Sequence, residues 1–184
     1  MRPTAKKPRT ADGFVRPSMP ALDALDAEHR DVMHTLADLA RLIEALEDEG
    51  VTLHTRALAK KICHFFNTHA RSHHAAEERL IFPKLLQSPD AVLVQHVVRL
   101  QQDHGWLEED WLELEPQLQA VADGYNWYDL DMLRHALPVF ELLYRDHIAL
   151  EESLIYPEAR RQQSLADHAE AQRSADTPAT PPPI

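Results

Sequence analysis

Apolar residues recur every three or four positions along four long stretches of the chain. The first stretch runs from Leu22 to Leu46, and Gly50 follows it. This spacing places apolar side chains on one face of a helix, and glycine is a common residue just past a helix end. The pattern therefore predicts a helix that begins near Ser18 and ends near Gly50.

The same periodicity predicts three further helices. They run from about Thr52 to the region of Pro83, from Ser88 to Gly124, and from near Asn126 to about Pro157. The third opens with Ser-Pro-Asp, a strong signal for a helix start. Because the connections are short, neighbouring helices should be antiparallel, and the predicted fold class is an all-α, up-down-up-down four-helix bundle.

The second half of the chain repeats the first. The run EERLIFP at 77–83 recurs as EESLIYP at 151–157, 74 residues later, and Gly50 and Gly124 share that offset. A bundle built of two duplicated helix hairpins is the natural interpretation.

Proline is concentrated at the two ends of the chain, outside the periodic region. We expect a flexible arm at 1–19, the bundle at 20–161, and a frayed or disordered tail at 162–184. The first twenty residues carry five basic residues against one acidic residue. We interpret this basic arm as a flexible tail, with contact to a membrane or an anion a distant alternative.

Charge and composition restrict the classes of partner that the protein is expected to bind. The formal net charge is -11, which argues against a body that binds nucleic acid. The sequence has no apolar run long enough to span a membrane and no apolar core of a signal peptide. A single cysteine excludes a disulfide framework. We therefore expect a cytoplasmic protein with no nucleic-acid or membrane partner; protein partners are not predicted.

Six polar residues occupy positions where the apolar stripes require leucine or isoleucine. They are His29, His73, Glu77, His104, His147 and Glu151. Two histidine–glutamate pairs are spaced i, i+4, so each pair shares one helix face. At roughly 1.5 Å per residue, the first histidine lies about 13 Å and the other three roughly 20 Å from the same bundle end. A shift of a few residues in the helix ends brings all four helices to one layer.

Four imidazoles and two carboxylates around one interior point are typical of a metal site. A buried carboxylate needs a partner, and cations would offset its charge. Each carboxylate has two oxygens and can bridge two cations. Mixed nitrogen and oxygen donors suit iron, manganese or zinc. The alternative for each histidine alone is a satisfied core residue, but the matched set favours metal binding.

The order His…His-x-x-x-Glu…His…His-x-x-x-Glu over four helices resembles the hemerythrin-like (HHE cation-binding) family. The resemblance covers about residues 20–160. It implies an antiparallel bundle with an oxo- or hydroxo-bridged non-haem di-iron centre. It also implies that the four histidines are terminal ligands and that Glu77 and Glu151 are the bridges.

Three further residues are open candidates near this site. Oxygen-carrying hemerythrins have another histidine one turn after the third-helix ligand, and here Glu108 holds that place, either as a seventh ligand or as a solvated residue. His74 adjoins a predicted ligand and either ligates or faces the rim of the bundle. His69 precedes the same ligand by one turn and is a candidate for supporting it.

The resemblance implies a protein that binds, senses or detoxifies a small ligand such as dioxygen, nitric oxide or peroxide. Redox activity linked to peroxide or nitric oxide is compatible with this hypothesis, although an enzyme is not the favoured interpretation. One alternative is an iron donor or repair factor for damaged iron–sulfur clusters. Another is a bundle in which the metal is purely structural.

Overall fold

The computed structural model describes residues 19–175, a range that contains helices and no strands. The predicted arm at 1–19 therefore lies outside the described residues except for Met19, which begins the first helix. Residues 176–184 of the predicted tail lie outside them as well.

Four long helical rods make up the bundle. The helices are α1 (Met19–Glu49), α2 (Leu53–His64), α3 (Arg71–Leu80), α4 (Phe82–Leu85), α5 (Ala91–Asp123), α6 (Leu130–Leu150) and α7 (Tyr156–Ala175). Two π-helical segments, π1 (Phe65–Ala70) and π2 (Glu151–Ile155), join α2 to α3 and α6 to α7. α1 and α5 each pack against α2 and α6. The predicted all-α four-helix bundle is confirmed.

Short polar side chains begin three of the helices. The hydroxyl of Thr52 accepts a hydrogen bond from the Thr55 amide of α2, and the Asp90 carboxylate accepts two from the first turn of α5. Asp129 accepts from the Met132 amide at 2.9 Å. The fourth rod consequently begins at Leu130, a few residues after the predicted start near Asn126.

Gly50 and Gly124 end α1 and α5 in the same way. Their φ angles are +66° and +92°, in the left-handed region that disfavours residues with a Cβ atom. A Cβ at Gly124 would also lie 3.1 Å from the Arg56 guanidinium carbon. The two predicted helix ends are thus observed at equivalent positions of the repeat.

The segment predicted to fray from residue 162 continues as helix α7 to Ala175. It is rich in alanine and glutamine, which are good helix formers. The Gln163 side chain also donates to Asp167 one turn later at 2.7 Å. Local propensity therefore extends the helix beyond the packed part of the bundle.

Two apolar clusters divide the core. The larger contains Val32, Phe66, Leu107 and Tyr144, and the smaller contains Leu25, Ile81, Leu100, Ile155 and Tyr156. On every rod, the chain passes from one cluster to the other through the positions predicted as metal ligands. A polar layer therefore lies between two apolar blocks.

Candidate metal centre

The six residues predicted to bind metal meet in this polar layer. His29 comes from α1, His73 and Glu77 from α3, His104 from α5, His147 from α6, and Glu151 from π2. His104 is the most exposed of them at 6%, and both glutamates are completely buried. The structure thus brings together all six residues that the sequence placed on four separate helices.

The six residues form two groups of donor atoms that share both glutamates. The first donor group is His29, His73, Glu77 and Glu151, and the second donor group is Glu77, His104, His147 and Glu151. Within each group, one donor atom from every residue lies within 4.8 Å of the others. The two oxygens of Glu77 lie 3.4 Å from His73 Nε2 and 3.3 Å from His104 Nε2. Each glutamate therefore faces both groups, as a bridging carboxylate would.

A ring of four carboxylates surrounds the histidines on the side away from the centre. The contacts of Nδ1 are His29 with Glu152 at 3.1 Å, His73 with Glu28 at 2.9 Å, His104 with Glu78 at 3.0 Å, and His147 with Asp103 at 3.7 Å. Each acid adjoins a candidate ligand on its own rod and approaches the histidine of the next rod. The first three contacts are hydrogen bonds, whereas the contact of Asp103 is longer and leaves His147 Nδ1 without a hydrogen-bond partner among the described residues. A carboxylate at Nδ1 keeps the proton there, which leaves Nε2 free to bind a cation.

This carboxylate ring was not among the features predicted from the sequence. Its signal was present, because an acid directly precedes His29 and His104 and directly follows Glu77 and Glu151. What the sequence lacked was the pairing, since Glu152 and His29 are 123 residues apart.

Several donor atoms at the centre are buried without a hydrogen-bond partner in the described part of the chain. They include Glu77 Oε2, both oxygens of Glu151, and Nε2 of His104 and His147. A buried polar atom without a partner is costly, and a cation coordinated by these atoms removes that cost. The donor set therefore fits metal ions.

The shifts in pKa indicate a strongly negative electrostatic potential at the centre. Burial and the charge of Glu151 raise the pKa of Glu77. Burial opposes ionisation of Glu151, but the nearby His147 and His29 outweigh it and hold that pKa well below its usual value. Burial likewise opposes protonation of His147, yet Glu151 and Asp103 raise its pKa to about 10. Electrostatics that favour protons on these imidazoles also favour cations.

Tyr156 adds a hydroxyl to the first donor group. Its O–H donates to Glu77 Oε1 at 2.6 Å and lies 3.4 Å from His29 Nε2, and its ring stacks on His29. Burial raises the pKa of this phenol, so it remains a donor. The equivalent residue of the repeat, Phe82, stacks on His104 without a hydroxyl. The repeated run EESLIYP contains this tyrosine, but the sequence predicted no role for it.

The structure distinguishes the three open candidates by their position relative to the centre. Glu108 is exposed and forms an ion pair with Arg71, so the structure does not bring it to the centre. His69 is exposed and lies beside Phe65 and Thr68. His74 is half-buried, and one of its nitrogens lies within 4.8 Å of a nitrogen of both His104 and His147. Burial and the neighbouring imidazoles hold the pKa of His74 well below its usual value.

Comparison with known proteins agrees with this geometry. The family described as "Hemerythrin HHE cation binding domain" matches residues 21–159, and the chain belongs to this family. Membership implies a bound metal cation, for which the clustered histidines and glutamates are suited. A Haemophilus influenzae protein described as "Uncharacterized protein" is 31% identical over 133 residues, which cover 72% of this chain and 75% of that protein. Within residues 19–175, no helix is long and apolar enough to cross a membrane.

Proposed function

We propose that the chain binds two neighbouring iron ions and attaches a small ligand, such as dioxygen, nitric oxide or peroxide, at an open coordination position. His29 and His73 would hold the first cation, and His104 and His147 the second. Glu77 and Glu151 would bridge them. Manganese and zinc are alternative metals for the same donors.

The observation that carries this proposal is the sharing of Glu77 and Glu151 between two four-donor groups. A single cation would use one group and leave two buried imidazoles of the other group without a partner. Two cations would be coordinated by all six residues and would offset the charges of both buried carboxylates. When bound, two adjacent iron ions supply redox-active Lewis acids with positions for exogenous ligands.

The protein's own residues would orient the donors and protect the site. The carboxylate ring would hold the imidazoles of His29, His73 and His104 so that Nε2 points inward. The two apolar clusters restrict water above and below the layer. A cavity of about 440 Å³, lined in part by His29, Met33 and Ile148, provides space for a small molecule beside the first donor group. Tyr156 is not among the residues that line this cavity, and its hydroxyl donates to Glu77 within the first donor group.

Metal analysis and optical spectroscopy of protein from iron-replete cells test the proposal. We expect two iron ions per chain and the absorption of an oxo-bridged diferric pair. After anaerobic reduction, separate exposure to dioxygen, nitric oxide and peroxide should change the spectrum with at least one of them. Less than one metal per chain together with no diferric absorption would overturn the proposal.

The same experiment separates the alternative functions. A redox-inert metal with a spectrum that ignores all three ligands would indicate a structural metal. Iron loss that accompanies restoration of a damaged iron–sulfur cluster would instead indicate an iron donor. Either result would replace the small-ligand function.

A further inference from the structure

A cavity between α3 and α5 lies beside the second donor group. Its volume is about 510 Å³, a size typical of sites that hold small organic molecules. His104 is one of its lining residues, so the cavity reaches the polar layer. Its counterpart in the repeat is the cavity beside His29, because Ala75 lines the first cavity and the equivalent Ala149 lines the second.

One difference within the repeat keeps the cavity between α3 and α5 open. Gly105 lines it, and a Cβ atom added there would meet no described heavy atom within 4 Å apart from its chain neighbours and its own helix backbone. The equivalent residue, 75 positions earlier, is Arg30, which lines the other cavity. Glycine is a poor residue for a helix interior, so the physical gain at this position is the space that it leaves.

Three aromatic rings that contact one another form an apolar wall of this cavity. The ring centroid of Phe66 lies 4.8 Å from that of Trp111 and 5.8 Å from that of Tyr144. The indole N–H of Trp111 donates to Asn67 at 2.7 Å, which orients the ring and satisfies its polar group. Flat apolar surfaces of this kind favour a planar ring as the bound group.

Tyr144 also brings a polar group to this wall. The residue is 3% exposed, and its hydroxyl forms no hydrogen bond with a described residue. Burial raises the pKa of the phenol, so the hydroxyl keeps its proton and is available as a donor. A buried hydroxyl without a partner is costly, and an acceptor atom on a bound molecule would remove that cost.

The charged residues that line the cavity do not suit an anion. The guanidinium of Arg71 forms an ion pair with Glu108, and Glu78 adds a second carboxylate. An anion would therefore meet more negative than positive charge, and its burial would be costly. These residues favour an uncharged molecule.

We propose that the cavity between α3 and α5 binds a small, uncharged aromatic molecule that carries an oxygen acceptor, of which phenol is the simplest example. The Tyr144 hydroxyl would donate to that oxygen, and the ring would lie against Phe66 and Trp111. This site is additional to the proposed function and needs no bound metal. Because His104 lines the cavity, the bound molecule would lie beside a predicted ligand of the second cation.

Calorimetric titration of the full-length protein with phenol and with toluene tests the hydrogen bond. The two probes are similar in size, but toluene has no oxygen. The ratio of phenol affinity to toluene affinity should fall roughly 3–10-fold in Y144F, as expected when one hydrogen bond is lost. Toluene affinity itself should not change. An unchanged ratio in Y144F would overturn the role of the hydroxyl.

The matched variants A75L and A149L test which cavity is occupied. Both alanines are exposed, and they hold equivalent positions in the two cavities. A75L should weaken phenol binding at least 10-fold, and so should G105R, which introduces the residue that the other half carries at position 30. A149L should leave phenol binding unchanged, and circular dichroism checks that each variant folds. Wild-type affinity in both A75L and G105R would overturn the site.

The indole N–H resonances of the three tryptophans locate the bound ring. In zinc-loaded protein, phenol should shift the resonance of Trp111 more than those of Trp106 and Trp127, which are exposed and do not line the cavity. Shifts confined to the two exposed tryptophans would show surface binding and overturn the proposal. Tighter binding of benzoate than of phenol would overturn the assignment of an uncharged molecule.

Discussion

The two helix hairpins supply the same set of donors but differ at two positions that face the centre. Each carries an acid followed by histidine on its first helix and His-x-x-x-Glu-Glu on its second. In the repeat, His74 corresponds to Ile148, and Phe82 corresponds to Tyr156. Both differences change which polar groups contact each donor group.

Positions that are equivalent in the two hairpins and positions that differ between them have different effects on the site. The matched residues form the two donor groups and the carboxylate ring, so the two halves of the polar layer are similar. The unmatched residues place an extra imidazole beside the second group and a hydroxyl beside the first. A nearly symmetric scaffold thereby gives the two donor groups unequal surroundings, which under the proposed function would make the two ions unequal toward a small ligand.

The largest effect is expected from the bridging glutamates. E77Q and E151Q should each reduce metal content from two ions to less than one per chain, because each carboxylate belongs to both donor groups. Elemental analysis measures this loss, with E158Q on α7 as a control outside the centre. Retention of two ions in either variant would show that the hairpins do not share their carboxylates.

The carboxylate ring should show a smaller effect that is confined to one cation. E152A removes the partner of His29, and E78A removes the partner of His104. Each substitution should weaken the binding of one of the two ions roughly 10–100-fold. Competition titration with a chelator measures both affinities.

The control for these substitutions is E141A, which removes a surface carboxylate paired with Arg145. It should leave both affinities unchanged. If E78A or E152A affected both ions equally, the assignment of each histidine pair to its own cation would be wrong.

The hydroxyl that distinguishes Tyr156 from Phe82 should contribute to stability. Y156F removes a 2.6 Å hydrogen bond to the buried Glu77 and should lower the free energy of unfolding by about 1–3 kcal/mol. Urea unfolding in the presence of a chelator measures this effect apart from metal binding. Y144F is the matched control, because Tyr144 is a buried tyrosine that lines a cavity and whose hydroxyl forms no hydrogen bond with a described residue. An equal loss would contradict the role of the bond.

The smallest effect is expected at Glu108, which sits at the surface of α5. E108Q breaks an exposed ion pair with Arg71, and such pairs contribute less than about 1 kcal/mol. Metal content should therefore equal that of the wild type. Loss of an ion in E108Q would show that this carboxylate reaches the second cation.

Helical periodicity explains why the six residues predicted as ligands lie in one layer. A residue that interrupts an apolar stripe must face the core, and the i, i+4 spacing of His73 with Glu77 and of His147 with Glu151 orients both side chains alike. These are local properties of an α-helix. They therefore placed all six residues in the layer that the structure confirms, although their binding of metal remains a prediction.

The π-helical segments mark the limit of that reasoning. Each π turn changes the rotation of the residues that follow it, and π1 ends at Ala70, just before His73 and His74. No feature of the apolar stripe predicted these segments. Sequence spacing alone therefore left His69, His74 and Glu108 open, whereas the structure places His74 alone among them beside the donor groups.

Three features could be predicted from the sequence: the four helices, their antiparallel order and the polar residues that interrupt their apolar faces. Each of them follows from spacing within one segment. Only the folded bundle shows which acid lies against which histidine, that Tyr156 reaches Glu77 across 79 residues, and which donor group His74 lies beside. These contacts depend on how the helices rotate and shift against one another when the two apolar clusters pack. That relative placement is a property of the whole bundle, so no single helix encodes it.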